Sequence, residues 1–315
     1  MVSKLKILVI SPGRHFTKNI LPLFKKNQIN FEISVMVSRS GNSSAEFSNI
    51  LTGKSLEDIN ERLFDCIYSS SPNKFHADEV RYAMAKNKHI LIEKPICTPD
   101  NLLSQLEVSN RSIIIQEALM YRHHNQFLNL KNFLESAEFL GKIRSINTKF
   151  TTPHFLNNDI RYQKKLHGGA FNDMAVYPLS FSKDICPNLQ LKYINSNNSG
   201  HEVDVDGAIV LQSSNVRALI EYGFGYSYQN YAECVFENGV VKIDRPFSKP
   251  PTFNSPIQVF QDMKLIATVE YPPCNHFRVM FNKFWDDINN HKIDDIIEKR
   301  LEQISFFANY KNESN

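Results

Sequence analysis

Three side chains have the types and spacing needed to move a proton onto or off an oxygen. Lys94 follows the apolar run Ile90-Leu91-Ile92 and precedes Pro95, while Asp173 and Tyr177, four residues apart, follow the glycine pair Gly168-Gly169. Reduction of a ketone by hydride leaves a developing alkoxide that needs a proton. A tyrosine hydroxyl can supply it if its pKa, ~10 in water, is lowered. A lysine cation lowers it by favouring the phenolate. Four residues make one helical turn, so Asp173 and Tyr177 share a face, and glycines ahead of the helix let backbone and ligand approach closely. The Lys94–Pro95 bond is a candidate cis peptide. Taken singly, Lys94-Pro95 after a strand is more often a plain surface turn, and for Asp173 or Tyr177 alone a packed helix with the tyrosine hydroxyl satisfied is the better reading. Together they point to proton transfer beside a cofactor.

A dinucleotide fingerprint, GxGxxG, belongs after the first strand of such a domain. Ser11-Pro12-Gly13-Arg14-His15-Phe16 stands there and keeps only the middle glycine. Phe16 is expected to crowd a pyrophosphate at the helix start, and Pro22 to kink or delay that helix. After the second strand, Ser38-Arg39 replaces the acidic residue that holds an NAD ribose. A hydroxyl and a guanidinium suit a 2′-phosphate, which favours NADP over NAD, although a solvated loop arginine reads equally well. Arg122, His123 and His124 border the same crevice and are candidates for substrate or cofactor phosphate. Arg161 and Tyr162, upstream of the glycines, divide evenly between a cleft and a solvated loop. Adjacent histidines seldom converge on one ion, so no metal is expected.

The elements that must position these residues follow from pattern. Lys6–Ser11, Phe31–Ser38, Cys66–Ser69, His89–Ile92 and Ser112–Gln116 are β-rich runs separated by helical stretches such as His76–Asn87. That alternation predicts an α/β chain whose first domain, 1–118, is a Rossmann-like doubly wound parallel sheet. Its ligands would bind outside the carboxyl ends of the strands, where Ser11, Arg39, Ser69–Asn73 and Glu93-Lys94 emerge. From 119 to 315 the texture changes to an α+β domain for substrate binding and dimerisation, with a large, mainly antiparallel open sheet. It contains a helix at Asn125–Ser136 and strands at Lys142–Thr151, Gly207–Gln212, Val216–Tyr222, Ala232–Phe236 and Val240–Asp244. Asn238-Gly239 predicts a type I′ hairpin, and His276–Asn289 and Asp295–Asn309 predict closing helices.

Composition excludes other classes. In 315 residues, 42% are hydrophobic and 22% charged, with a net charge of +3 and only short basic clusters such as Lys164-Lys165, too little for nucleic acid to be the default partner. Five cysteines without a CxxC or Cys/His ligand spacing argue against structural zinc, and their odd number argues against a disulfide framework. No apolar run approaches the ~20 residues needed to cross a bilayer. A cytoplasmic protein is expected.

The segments Asp65–Asn73 with His76, Lys88–Pro95, Glu117–His124, Asp159-Ile160-Arg161 and Gly168–Tyr177 occur in the order of the signatures of the Gfo/Idh/MocA oxidoreductase family, which the chain resembles. A tyrosine at Tyr177 is similar to the branch of glucose-fructose oxidoreductase, dihydrodiol dehydrogenase and nucleotide-sugar ketoreductases. The resemblance implies Tyr177 as general acid/base, Lys94 as its partner and Asp173 as an orienting group. It implies cofactor contacts from Ser11, Gly13, Arg14, His15, Ser38, Arg39, Ser70, Ser71, Pro72, Asn73, His76, Glu93, Lys94, Glu117 and Arg161. Substrate contacts would come from Lys94, Arg122, His123, Tyr162, Asp173 and Tyr177. The expected reaction is NADP- or NAD-dependent hydride transfer on a sugar or nucleotide-sugar by a homodimer or homotetramer. The alternatives are a silent sensor on the same fold and a redox-neutral sugar lyase or glycosidase with bound dinucleotide.

Overall fold

The β-rich runs of the first third become six short strands in the computed structural model, which describes residues 3–39, 47, 50–109, 111–254, 256–293, 296–301 and 304. They are β1 (Leu5–Ile10), β2 (Phe31–Val37), β3 (Leu51–Gly53), β4 (Cys66–Ser69), β5 (His89–Ile92) and β6 (Ile115–Glu117), in the order β3-β2-β1-β4-β5-β6. Every neighbouring pair is parallel. Strands of such a sheet are covered on both faces, which is why they are continuous apolar runs rather than alternating ones. Ile7–Ile10 and Ile90–Ile92 are accordingly wholly buried. The short interval after Arg39 leaves β3 with three residues.

Helices α1 (Leu21–Lys25), α2 (His76–Ala85) and α3 (Gln105–Val108) connect these strands. Ahead of α1, Phe16–Ile20 form a π-helical turn. Pro22 lacks the N–H that would bond the Lys18 carbonyl, so the ladder there runs in the wider register and the α-helix starts late.

Helices α4 (Asn125–Ser136) and α5 (Val176–Ile185) accompany eight strands: β7 (Ile143–Thr152), β8 (Gln190–Asn197), β9 (Asp206–Gln212), β10 (Arg217–Phe224), β11 (Gln229–Phe236), β12 (Val240–Asp244), β13 (Ile257–Gln261) and β14 (Lys264–Val269). Their order is β14-β13-β12-β11-β7-β10-β9-β8, antiparallel except for the β7–β10 pair. Along β10, Ala218, Ile220 and Tyr222 point inward while Leu219 and Glu221 are exposed, the alternation of a sheet with one open face.

The expected type I′ turn at Asn238-Gly239 is corrected. The hairpin is present, with Val235 opposite Val240, but neither Asn238 nor Gly239 has a positive φ. The Glu237 and Asn238 amides instead donate to the Lys142 and Leu140 carbonyls. Gly239 is required for another reason, since a Cβ there would lie 2.5 Å from the Phe260 carbonyl oxygen. The two-residue turn with positive φ at both positions, as type I′ requires, is Asp262-Met263 between β13 and β14.

The chain divides into two compact units, Leu119–His276 and Met1–Ala118 resuming at Phe277. A second domain over 119–315 is therefore corrected at its C-terminal stretch, which belongs with the first unit. Helix α6 (His276–Asn289) carries the reason: Phe281 meets Phe24 and Phe31 edge-on, and Phe284 stacks on Phe31 at 5.9 Å. Farther on, Ile297 and Leu301 join the core of the first unit. Of the helix expected over Asp295–Asn309, residues 296–301 are helical and those after 304 lie outside the described residues. Among the described residues no helix is long and apolar enough to cross a membrane, and no group of three or more His, Cys, Asp or Glu could hold a metal ion.

Candidate functional site

In the first unit, the turn after β1 is built around a left-handed serine. Ser11 has φ 53°, its amide donates to Val37 O at 2.8 Å, and Gly13 N donates back to Ser11 O at 2.7 Å. That conformation is the one a first fingerprint glycine supplies freely; a serine reaches it at a modest cost. A Cβ added to Gly13 would meet nothing nearer than Ser11 O at 3.8 Å, so the exposed backbone of Gly13 faces open space that a phosphate can approach.

The expectation that Phe16 crowds this space is overturned. Phe16 is wholly buried, with ring centroids 5.9 Å from Tyr68, 6.2 Å from Phe24 and 6.4 Å from Phe47. The helical start turns its side chain down into the core, away from the turn. The residues present therefore fit a dinucleotide despite the two missing glycines.

At the end of β2, Arg39 reaches back over the first turn. Its Nη1 donates to Ser11 Oγ (3.1 Å) and Ser71 Oγ (2.9 Å), its Nη2 donates to Glu79 Oε1 (2.7 Å), and its guanidinium lies 4.2 Å from the Phe75 ring centre. Beside it, Ser70 Oγ donates to Ser11 O at 2.8 Å. At the end of β5, Glu93 accepts from Tyr68 Oη (2.9 Å) and pairs with His15 Nε2 (3.3 Å). Burial opposes the Glu93 charge, but His15, the Tyr68 hydroxyl and Lys94 outweigh it and hold its pKa below the ordinary value. The next bond, Lys94–Pro95, is cis.

Two of the expected cofactor residues are structural. His76 is wholly buried and bridges the Pro95 and Ser71 carbonyls at 2.6 and 2.8 Å. Glu117 is buried too, accepting from Ile96 N and Arg300 Nε, both at 2.9 Å. Arg14 is exposed, whereas Ser38, Pro72 and Asn73 are half-buried at loop ends.

In the second unit, Gly168 and Gly169 are required by the fold itself. A Cβ on Gly168 would lie 2.4 Å from Arg161 O, and Gly169, at φ 108°, would bring one equally close to Asp204 Oδ1. The glycines thus let the Arg161 loop and the Asp204 segment fold onto the helix start. Phe171–Ala175 again make a π-helical turn ahead of a proline, Pro178, in the first turn of α5. Asp173 lies in that wide turn and Tyr177 just beyond it.

Tyr177 is buried, with its ring 5.4 Å from Phe150 in a T-shaped contact and 6.3 Å from those of Tyr121 and Phe247. Its hydroxyl donates to Met120 Sδ at 3.6 Å, a weak acceptor. The neighbouring Tyr121 differs: its hydroxyl bonds Ser180 Oγ (2.8 Å) and Asp184 Oδ2 (2.9 Å), and burial, followed by Asp184, pushes its pKa well up. Asp173 accepts from Arg161 Nε at 2.8 Å; Arg161 also reaches Asp159 at 3.1 Å and lies 4.4 Å from the Phe155 ring centre. Arg122 makes a two-pronged pair with Asp184 at 2.8 and 2.9 Å. His123 is half-buried. Tyr162 Oη meets His154 Nδ1 at 3.0 Å, and its ring stacks on His201 at 4.7 Å.

Sequence reasoning missed Glu79, Tyr68 and Asp184. Glu79 left a signal, because it falls on the His76, Ala77, Val80 and Ala83 stripe that α2 buries, where a lone carboxylate demands partners.

Residues 5–109 match the sequence model of GFO_IDH_MocA, the oxidoreductase family with an NAD-binding Rossmann fold. Among curated proteins, the chain is 28% identical over 229 residues to a dTDP-3,4-didehydro-2,6-dideoxy-alpha-D-glucose 3-reductase of Saccharopolyspora spinosa, covering 71% of this chain and 68% of the relative. It is 24% identical to a D-xylose 1-dehydrogenase (NADP(+)) of Haloferax volcanii over 68% of this chain and 66% of the relative. Among solved structures, KijD10, a 3-ketoreductase from Actinomadura kijaniata in complex with NADP and TDP-benzene, superposes with a TM-score of 0.87 at 22% identity over 98% of this chain and 96% of that one. These structural likenesses speak to the fold.

Proposed function

We propose, starting from a first domain that belongs to the Gfo/Idh/MocA oxidoreductases, that this chain is an NAD(P)-dependent oxidoreductase. It moves a hydride between the nicotinamide, NADP favoured, and a carbonyl or hydroxyl of a sugar or nucleotide-sugar. The family match and the named activities of the relatives support the reaction class. One observation carries the choice of acid: of the neighbouring buried tyrosines, Tyr121 is committed to Ser180 and Asp184, whereas the Tyr177 hydroxyl donates to the Met120 thioether, a weak acceptor.

In this reading the bound cofactor supplies or takes the hydride. Tyr177 gives its proton to the carbonyl oxygen during reduction and recovers it during oxidation, with its ring held in place by Phe150, Tyr121 and Phe247. Lys94 assists by stabilising the phenolate. Asp173, steadied by Arg161, orients substrate hydroxyls. Gly13 presents backbone to the pyrophosphate, and Ser38 with Arg39 serves the adenosine ribose and its 2′-phosphate. Self-association is supported by Leu219 and Tyr231, 44% and 38% exposed on the open face of the second sheet.

The test is Tyr177→Phe. Turnover of a dTDP-linked 3-keto sugar with NADPH should fall about 10²–10⁴-fold, the usual contribution of a general acid, while NADPH affinity stays within about twofold. Unchanged turnover overturns the role of Tyr177. Failure of the unaltered protein to bind either NADPH or NADH overturns hydride transfer altogether.

A further inference from the structure

The buried carboxylate beneath the cofactor turn has no place in the chemistry above. Glu79 is 1% exposed on α2 and collects three donors: Ser69 Oγ at 2.5 Å, Ser71 Oγ at 2.6 Å and Arg39 Nη2 at 2.7 Å. Through them, one side chain ties the loop ends after β2 and β4. Ser11, after β1, joins by its hydroxyl, 3.1 Å from Arg39 and 3.2 Å from Ser71. The consequence is electrostatic. Arg39 is the residue offered to a 2′-phosphate, yet its charge is already matched by a carboxylate in direct contact, and the pair together is neutral. An incoming phosphate must share the guanidinium with Glu79 and approach a second negative charge that lies just beneath it.

We propose that Glu79 is a specificity-determining residue: by neutralising Arg39 it moderates the site's preference for a 2′-phosphate, so that the protein uses both NADPH and NADH. The inference rests on the dinucleotide-dependent reading above. Arg39 still contributes through its remaining donors and through the guanidinium face opposite Phe75. The preference therefore leans to NADPH, well short of what an unopposed arginine gives.

The test measures equilibrium dissociation constants for NADPH, NADH, adenosine 2′,5′-bisphosphate and 5′-AMP, by calorimetry on the full chain. The proteins are the unaltered chain, Glu79→Gln, Arg39→Ala and the double variant. The unaltered protein is expected to prefer NADPH to NADH, and the bisphosphate to AMP, by less than about tenfold. Glu79→Gln should raise the preference by about a further tenfold, the size expected when one unit charge is removed beside a phosphate dianion. NADH and AMP should move by less than about twofold, a split that mere loosening of the fold would not produce. Arg39→Ala should abolish the preference, and the double variant should resemble Arg39→Ala, because Glu79 acts through that guanidinium. A Glu79→Gln preference that is unchanged or reduced overturns the inference while leaving the enzyme reading standing. If that variant does not fold, the unaltered protein decides alone: a preference for the bisphosphate above about a hundredfold overturns the inference. Absence of any dinucleotide binding sinks both readings together.

Discussion

Restoring the small residue that a dinucleotide fingerprint expects at position 16 should damage the protein rather than improve its cofactor site. Phe16 is wholly buried, with Tyr68, Phe24 and Phe47 around its ring at 5.9 to 6.4 Å between centroids. Removing a phenyl group from such a site forfeits its transfer free energy and leaves a cavity, which together cost about 3–5 kcal/mol. With a urea slope of about 2 kcal/mol per molar, the unfolding midpoint of Phe16→Ala should drop by roughly 2 M. The assay has a convenient probe, because the single tryptophan, Trp285, lies on α6 in the same unit as Phe16. Its fluorescence follows that unit, and circular dichroism follows the whole chain. At zero urea, NADPH affinity should stay within about threefold of the unaltered protein, since the side chain points away from the turn. A loss of stability below about 1 kcal/mol, or a tenfold tightening of NADPH, would refute the reasoning, the latter by showing that Phe16 obstructs the pyrophosphate after all.

Two further predictions concern pH. His124 is wholly buried and caps α4 by accepting the Gln126 amide at 3.0 Å; burial, then Lys249, pushes its pKa down to about 3. The unfolded chain binds a proton near 6.5 that the folded one refuses, so this contribution is complete above pH 6.5 and drains away as pH falls towards 3. His124→Asn keeps a capping oxygen and cannot ionise; the decline in Tm between pH 6.5 and 4 should become shallower, and an unchanged slope counts against the assignment. Lys249, bonded to Gln126 Oε1 and Pro246 O, is lowered by burial to about 7 against an ordinary 10.5. Between those values the unfolded chain holds the extra proton, so stability rises with pH from 7 towards 10. Lys249→Met should remove that rise in urea midpoints across the range, and its persistence would point to another group.

Much of the fold was legible because it depends on short-range pattern. The apolar runs and the helices between them are local, and the ends of β4 and β5 fall where the runs stop. Strands β8 and β14 escaped notice for the opposite reason: they are edge strands whose residues are mostly exposed, so no hydrophobic alternation marks them. The C-terminal helix was recognisable as a helix from its spacing, yet its place beside Phe31 and Phe24 was not, because a buried stripe says only that some apolar surface covers it.

Local pattern along the chain places the residues at strand ends and helix starts: Ser11 to Phe16, Ser38-Arg39, Glu93-Lys94, and Asp173 with Tyr177. It also carried the family resemblance. Tertiary structure alone decided what each charge meets. Arg39 lies against Glu79, Arg122 against Asp184 and Arg161 against Asp173, at separations of 40, 62 and 12 residues. It likewise turned Phe16 inward and placed Ser11 in a left-handed turn. The physical reason is that periodicity is written along the chain within a few residues, whereas Coulomb attraction, hydrogen bonding and packing act through space and depend on which distant segments the fold brings together.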